Sequence, residues 1–199
     1  MGHPAEKLHR ATYADLEAVP PHQVAELIQG TLYVFPRPAP RHTSTHSALG
    51  MQLGPPFRFG QGGPGGWWIL AEPELHLGGD TLVPDLAGWR VERMPDLPET
   101  AFFPLAPDWI CEVTSPSTAA IDRAKKMPVY AREGIKHLWL VDPIERLLEI
   151  FALTPEGQWL LLGVHYDDAK VRAVPFDAIE LDLATLWNKP APPAGSSTT

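Results

Sequence analysis

Short apolar runs separated by turn residues recur along the whole chain, and their spacing predicts a mixed α/β fold. Val24-Ala25-Glu26-Leu27-Ile28 and Thr31-Leu32-Tyr33-Val34-Phe35 flank Gln29-Gly30, the signature of a tight β-hairpin. Thr12 followed by Asp15 caps a short helix over 12–18. Residues 42–54 lack proline and carry Leu49 and Leu53, consistent with a helix, whereas Pro55-Pro56 and the glycine cluster from Gly60 to Gly66 predict a loop. Strands are expected over 67–71, 74–77, 82–89 and 109–114. Ser117 caps a helix over 118–133, with Gly134 just past its end. The strand over 135–141 leads through Asp142-Pro143 into a C-terminal antiparallel meander, 147–153, 159–164 and 171–174, closed by Leu181-Asp182-Leu183 and Leu186-Trp187. The expectation is one mixed central sheet flanked by few helices, in a single domain over 1–188. The Pro-, Ala-, Ser- and Thr-rich end, 189–199, reads as a disordered tail.

Two acids break this pattern. Glu112 lies inside the apolar run Trp109-Ile110-Cys111-Glu112-Val113, where desolvation penalises an ionised carboxylate unless a cation or donors hold it. Asp85 closes a second apolar stretch, Thr81-Leu82-Val83-Pro84-Asp85. Two carboxylates on neighbouring strands that need a shared positive partner point to a divalent metal. Strand alternation puts Glu112 and Thr114 on one face and Cys111 and Val113 on the other. In the following helix Asp122, Lys126 and Tyr130 share a stripe, which a strand-to-helix turn can aim at Glu112. A carboxylate pair plus an ammonium is the set that metal-assisted phosphodiester hydrolysis requires.

Each feature also has a plainer reading. Asp85 can simply end a strand, and Glu112 can be a structural ion-pair partner. Glu26 can face outward from its hairpin, and Glu72 and Glu74 can be surface groups on the way to Asp85. His42 and His46 are spaced i,i+4 without an intervening acid, which suits surface or substrate-facing histidines better than a metal motif. Trp67, Trp68 and Trp139 suit packing better than base stacking. Arg123, Lys125, Lys126, Arg132 and Lys136 form a basic cluster that is either a solvated face or a source of phosphate contacts.

Composition narrows the classes. At 199 residues, 44% hydrophobic and 20% charged, the chain can bury a core of its own. No apolar run approaches the roughly 18 residues of a membrane span, and the N-terminus lacks an apolar signal region, so a cytoplasmic location is expected. Cys111 is the only cysteine, which excludes an internal disulfide and a cysteine zinc cage. The formal net charge of −8 counts against broad electrostatic coating of nucleic acid but leaves room for a local groove around an acidic centre. With 23 prolines and Asn188 as its one asparagine, the chain fits a thermophilic source or high-GC coding bias equally well.

Pro84-Asp85, Glu112-Val113-Thr114-Ser115-Pro116-Ser117, Asp122, Lys126 and the run Tyr130-Ala131-Arg132-Glu133-Gly134-Ile135 with Leu138-Trp139-Leu140-Val141-Asp142-Pro143 resemble the Uma-type family. Glu26-Leu27-Ile28-Gln29-Gly30 and His42 extend the likeness to roughly 12–187. These bacterial proteins belong to the PD-(D/E)XK restriction-endonuclease-like superfamily. The resemblance implies that fold, a Mg²⁺ ion (Mn²⁺ as a substitute), Asp85 and Glu112 as its ligands, Lys126 as the catalytic lysine and Glu26 as a further acidic member. It implies nucleic acid, DNA above all, as the partner, and a homodimer is plausible because many nucleases of this fold pair two centres across a duplex. Two departures stand out. Thr114 occupies the position where the superfamily pattern has lysine, which moves that role to Lys126 on the helix. Pro128, two residues on, is expected to kink or restart that helix at a cost of about 3 kcal/mol. The alternatives are a catalytically inactive binding or regulatory module on the same fold and a hydrolase of a small phosphate compound.

Overall fold

The computed structural model describes residues 10–187. Helix α1 (Tyr13–Glu17) starts at Thr12, whose amide and hydroxyl both donate to Asp15 Oδ2, at 2.7 and 2.8 Å. Strands β1 (Gln23–Ile28) and β2 (Thr31–Pro36) form the hairpin, with Gln29 and Gly30 at φ 53° and 76°. That pair of left-handed residues matches the right-handed twist of the two strands. Helix α2 (Pro40–Leu53) begins on a proline, tolerated there because the first turn has no use for its missing donor.

Next come β3 (Trp67–Ala71), β4 (Leu75–Leu77), β5 (Asp80–Leu82), β6 (Leu86–Arg90) and β7 (Trp109–Val113). The helix after β7 has three parts: α3 (Ala119–Ile121), a π-helical turn (Asp122–Lys126) and α4 (Met127–Arg132). The chain closes with β8 (His137–Asp142), β9 (Leu147–Leu153), β10 (Trp159–Tyr166), β11 (Lys170–Val171), β12 (Leu181–Asp182) and α5 (Ala184–Trp187).

The expected mixed sheet is present, in the order β10-β9-β8-β7-β6-β3, with β7 and β8 as its parallel pair. It is not alone. A second, antiparallel sheet, β2-β1-β5-β4, packs against it, and β11 pairs with β12 in a small ribbon. Alternation along β7 divides the interior into two cores. Trp109, Cys111 and Val113 face α2, Phe176 and the closing segment, whereas Ile110 faces α4 and the second sheet. Trp109 and Trp139 meet edge to face at 5.1 Å in the first core. No helix of the described residues is long and apolar enough to cross a membrane.

Three expectations about the elements need correction. The strand placed over 82–89 is two strands in two different sheets. Pro84 has no amide to donate, and the Val83 amide goes to Glu26 Oε1 (2.8 Å) instead of a ladder, so the chain leaves one sheet and enters the other. Pro55 and Pro56 belong to a π-helical turn (Gly54–Arg58) that prolongs α2, rather than to a loop. The restart expected at Pro128 is present: a new segment, α4, begins at Met127 with Pro128 in its first turn, where its absent donor is least needed, directly after the wider turn over Asp122–Lys126. The strand at 171–174 stops at Val171 because Phe176 turns back on the Ala173 carbonyl (2.8 Å). The tail expected at 189–199 lies outside the described residues.

Candidate functional site

Lys126 is the centre of the site. Its ammonium lies 2.9 Å from Glu26 Oε1, 3.1 Å from Glu112 Oε1 and 3.6 Å from Asp122 Oδ1. All four side chains are buried, with Lys126 only 5% exposed. They come from three elements: Glu26 from β1, Glu112 from β7, and Asp122 and Lys126 from the π-helical turn. The helical stripe read from the sequence is real, since Tyr130, one turn further on, donates its hydroxyl to Glu112 Oε1 at 2.5 Å. The expected face of Glu112 is also correct.

Asp85 sits on the link between the two sheets. Its Oδ2 accepts the Val113 amide at 2.7 Å, which fixes the carboxylate beside the end of β7 and hence beside Glu112. Its Oδ1 lies 3.3 Å from His42 Nε2 on α2. One donor atom each from His46, Glu72 and Asp85 lie within 4.8 Å of one another, close enough to share one ion. Glu72 reaches this position from the end of β3 with a left-handed backbone (φ 47°), and its amide donates to the Asp85 carbonyl at 2.9 Å. Glu74 is occupied elsewhere by Tyr13 (2.9 Å) and His76 (2.6 Å). A cavity of about 610 Å³ opens over the cluster, lined by Glu26, Asp85, Glu112 and Lys126 together with Leu16, Val24 and Phe35.

The electrostatics follow from crowding acids in a dry place. Burial pushes the Glu112 carboxyl well above the ordinary range, and neighbouring Asp122, Asp85 and Glu26 push the same way against the pull of Lys126. Burial likewise raises Asp122. For Lys126, burial acts to strip the proton, but Glu112, Glu26 and Asp122 outweigh it and hold the ammonium well above its usual value. Lys126 is therefore a permanent cation at neutral pH, not a base. Burial also lifts the Tyr130 hydroxyl, with Glu112 adding to it, so the phenol stays protonated and donates. At His42 burial lowers the value, but the Asp85 hydrogen bond and charge reverse the sign and leave it raised. Among the described residues three carboxylates thus grip one ammonium, and a fourth, Asp85, lies beside them against His42, a donor set rich in acid oxygens. Such a set fits a hard divalent cation.

The basic cluster expected on the helix does not survive as a unit. Arg123 pairs with Glu149 on β9, Arg132 with Asp80 (2.9 Å) and Glu133 (2.7 Å), and Lys126 is internal. Lys125 and Lys136 remain on the surface. In the sequence Asp122 and Tyr130 mark a helical stripe and nothing more. Their polar ends touching Lys126 and Glu112 were the missed information, and a buried stripe with two polar tips was the available signal. The grouping of His46 and Glu72 with Asp85 joins three distant segments and had no local signal at all.

This geometry can be set beside known proteins. A family model, Uma2, described as "Putative restriction endonuclease", matches residues 10–184. No curated protein matches. Among solved structures, the chain is similar to a crystal structure of a putative nuclease belonging to DUF820 from Anabaena variabilis ATCC 29413, with a TM-score of 0.70 and 23% identity over 88% of this chain and 97% of that one. At that identity the likeness speaks to the fold. The family match spans both acids, the lysine and nearly every element that holds them, and the chain belongs to the Uma2 family of restriction-endonuclease-like proteins.

Proposed function

We propose that this chain is a cytoplasmic endonuclease that hydrolyses phosphodiester bonds in DNA with Mg²⁺, or Mn²⁺ in its place. Asp85 and Glu112 hold the ion, and His46 and Glu72 offer further donors beside Asp85. When bound, the cation supplies Lewis-acid polarisation of the scissile phosphoryl group and a more acidic water. Lys126 supplies a fixed positive charge facing the phosphate and orients the attacking water. Because its proton is held tightly, it stabilises developing negative charge rather than accepting a proton. Glu26 is a positioning residue: it grips both Lys126 and the Val83 amide, so the ammonium keeps a fixed distance from Asp85's segment. Tyr130 does the same for Glu112, leaving the carboxylate's other oxygen for the ion. Two copies acting together fit the cutting of both strands of a duplex.

One observation supports this reading above the rest: a buried ammonium gripped by three acids beside a fourth, at the wall of an open cavity. A structural ion pair needs one acid, not four. Plasmid cleavage in Mg²⁺, Mn²⁺ and EDTA, run with wild type, Asp85→Asn and Lys126→Met, tests it, with calorimetric Mn²⁺ titration alongside. The expected result is metal-dependent cutting lost in both variants, with Mn²⁺ binding lost only in Asp85→Asn. Cutting that persists in EDTA or in Asp85→Asn overturns it. Mn²⁺ binding by the wild type without cutting of DNA or RNA favours the inactive binding module, a reading that the net charge of −8 already suits.

A further inference from the structure

The cavity over the acids is larger and more apolar than an ion and a phosphate require. An octahedral ion with six waters occupies about 200 Å³, against the 610 Å³ available. A space of that size suits a whole organic group, since ligand pockets run roughly 300–1,000 Å³. A phosphodiester is polar throughout, yet much of the lining is not. Leu16, Val19, Val24 and Phe35 are half-buried along it, and Pro20 and Pro21 line it too.

The hairpin explains how acid and apolar surface come to be neighbours. Val24 and Glu26 are two apart on β1, so they share a face and stand roughly 7 Å from one another along the strand. In the β1–β2 ladder Phe35 lies directly opposite Val24, and Tyr33 opposite Glu26, which puts all four side chains on that face. The Tyr33 and Phe35 rings are nearly parallel, 7° apart in plane with centroids at 6.5 Å, so Phe35 is steadied by its neighbour. One position on the face thus delivers Glu26 to Lys126, and the next offers an aliphatic and an aromatic side chain to the same cavity.

We infer that one nucleobase beside the scissile phosphate leaves the duplex stack and lodges against Val24 and Phe35 while the phosphate meets the acids, an inference that rests on the nuclease reading above. The occupant follows from chemistry. Sugar and phosphate are polar, and the base is the part of a nucleic acid with an apolar face, which stacks on aromatic side chains with little regard to sequence. Arg37 lines the cavity as well, donates to the Pro21 carbonyl at 2.7 Å and pairs with no acid among the described residues, so its other N–H groups are free for a neighbouring phosphate. Drawing a base out of a duplex costs unstacking and unpairing, and costs least where the base has no partner to leave.

That difference is the test. A labelled DNA duplex is compared with the same duplex carrying one extra, unpaired nucleotide. Cleavage is followed in Mg²⁺, and affinity by fluorescence anisotropy in Ca²⁺, another hard cation that takes oxygen ligands. Wild type is expected to cut beside the unpaired nucleotide roughly tenfold faster than anywhere in the paired duplex, and to bind the bulged duplex tighter by a similar factor. Phe35→Ala and, separately, Val24→Asp are expected to bring both ratios close to unity. A ratio between two substrates is indifferent to the fraction of protein that is folded, so a variant that is only destabilised keeps it. Cutting with no preference in wild type, or a preference that survives both variants, overturns the inference and leaves the nuclease reading in place. Tighter binding of the bulged duplex without cutting of either DNA overturns the nuclease reading and supports the base pocket. DNA neither cut nor bound overturns both.

Discussion

Replacing Lys126 with methionine keeps the length of the side chain and removes only the charge. The consequence can be worked from three distances. The ammonium contacts Glu26, Glu112 and Asp122 within 3.6 Å, and all four groups are buried, so this belongs with internal ion pairs and not with surface ones. Removing one partner of such a pair costs about 3–5 kcal/mol, since the remaining charges stay desolvated and unpaired. For a domain of this size that corresponds to a melting temperature lower by roughly 6–20 °C.

The deficit must also depend on pH, in a definite direction. Lys126 has a folded value raised above its unfolded one, so it stabilises at every pH below the ordinary lysine range. Glu112 and Asp122 are raised acids, so their ionised forms cost stability as pH climbs from the ordinary carboxylate range through their folded values. Methionine removes the largest influence that pulls them down, leaving only the Thr118 hydrogen bond at Asp122, which enlarges that cost at neutral pH. In acid the carboxyls are protonated and the wild-type lysine itself loses its partners. Urea unfolding of both proteins at pH 7.5 and 4.5 should therefore show a large gap at the higher pH that shrinks by more than half at the lower. A gap of under ~1 kcal/mol, the range of surface pairs, or one independent of pH, refutes the claim that the cluster is desolvated.

Two further outcomes follow. Tyr130→Phe removes the hydroxyl 2.5 Å from Glu112, so cleavage should fall at least tenfold while stability drops by about 1–3 kcal/mol, measured by plasmid nicking and chemical unfolding. Gly88 lies under Trp109 and Trp67, whose ring carbons stand 3.1 and 3.3 Å from where a Cβ would sit; Gly88→Ala should cost about 1–3 kcal/mol in thermal unfolding and leave Mn²⁺ affinity unchanged.

Much of this site was legible because it obeys local periodicity. The two-residue repeat of β7 assigns Glu112 its face, and the helical repeat brings Asp122, Lys126 and Tyr130 to one side; the structure agrees on both. Asp85 was legible as a residue but not as a place. The expected strand over 82–89 runs straight through Asp85, and only the competing bond from Val83 to Glu26, a contact across fifty-seven positions, shows why the chain changes sheets there. The same limit applies to His46 and Glu72, brought to Asp85 by the packing of α2 and β3. Proline rules misled at Pro55, where a wider helical turn accommodates what a regular one would not, and held at Pro128, where the helix restarts.

The segment Val83-Pro84-Asp85 has a mechanical consequence. It is the splice between two β-layers, with one end gripped by Glu26 of the first layer and the other by the Val113 amide of the second. Any sliding of one layer on the other would pull these grips apart and misalign the acids and the amine together. The centre is thus a rivet as well as a reaction vessel. Filling it should slow amide hydrogen exchange in β1 and β7 in concert, although the two strands share no ladder.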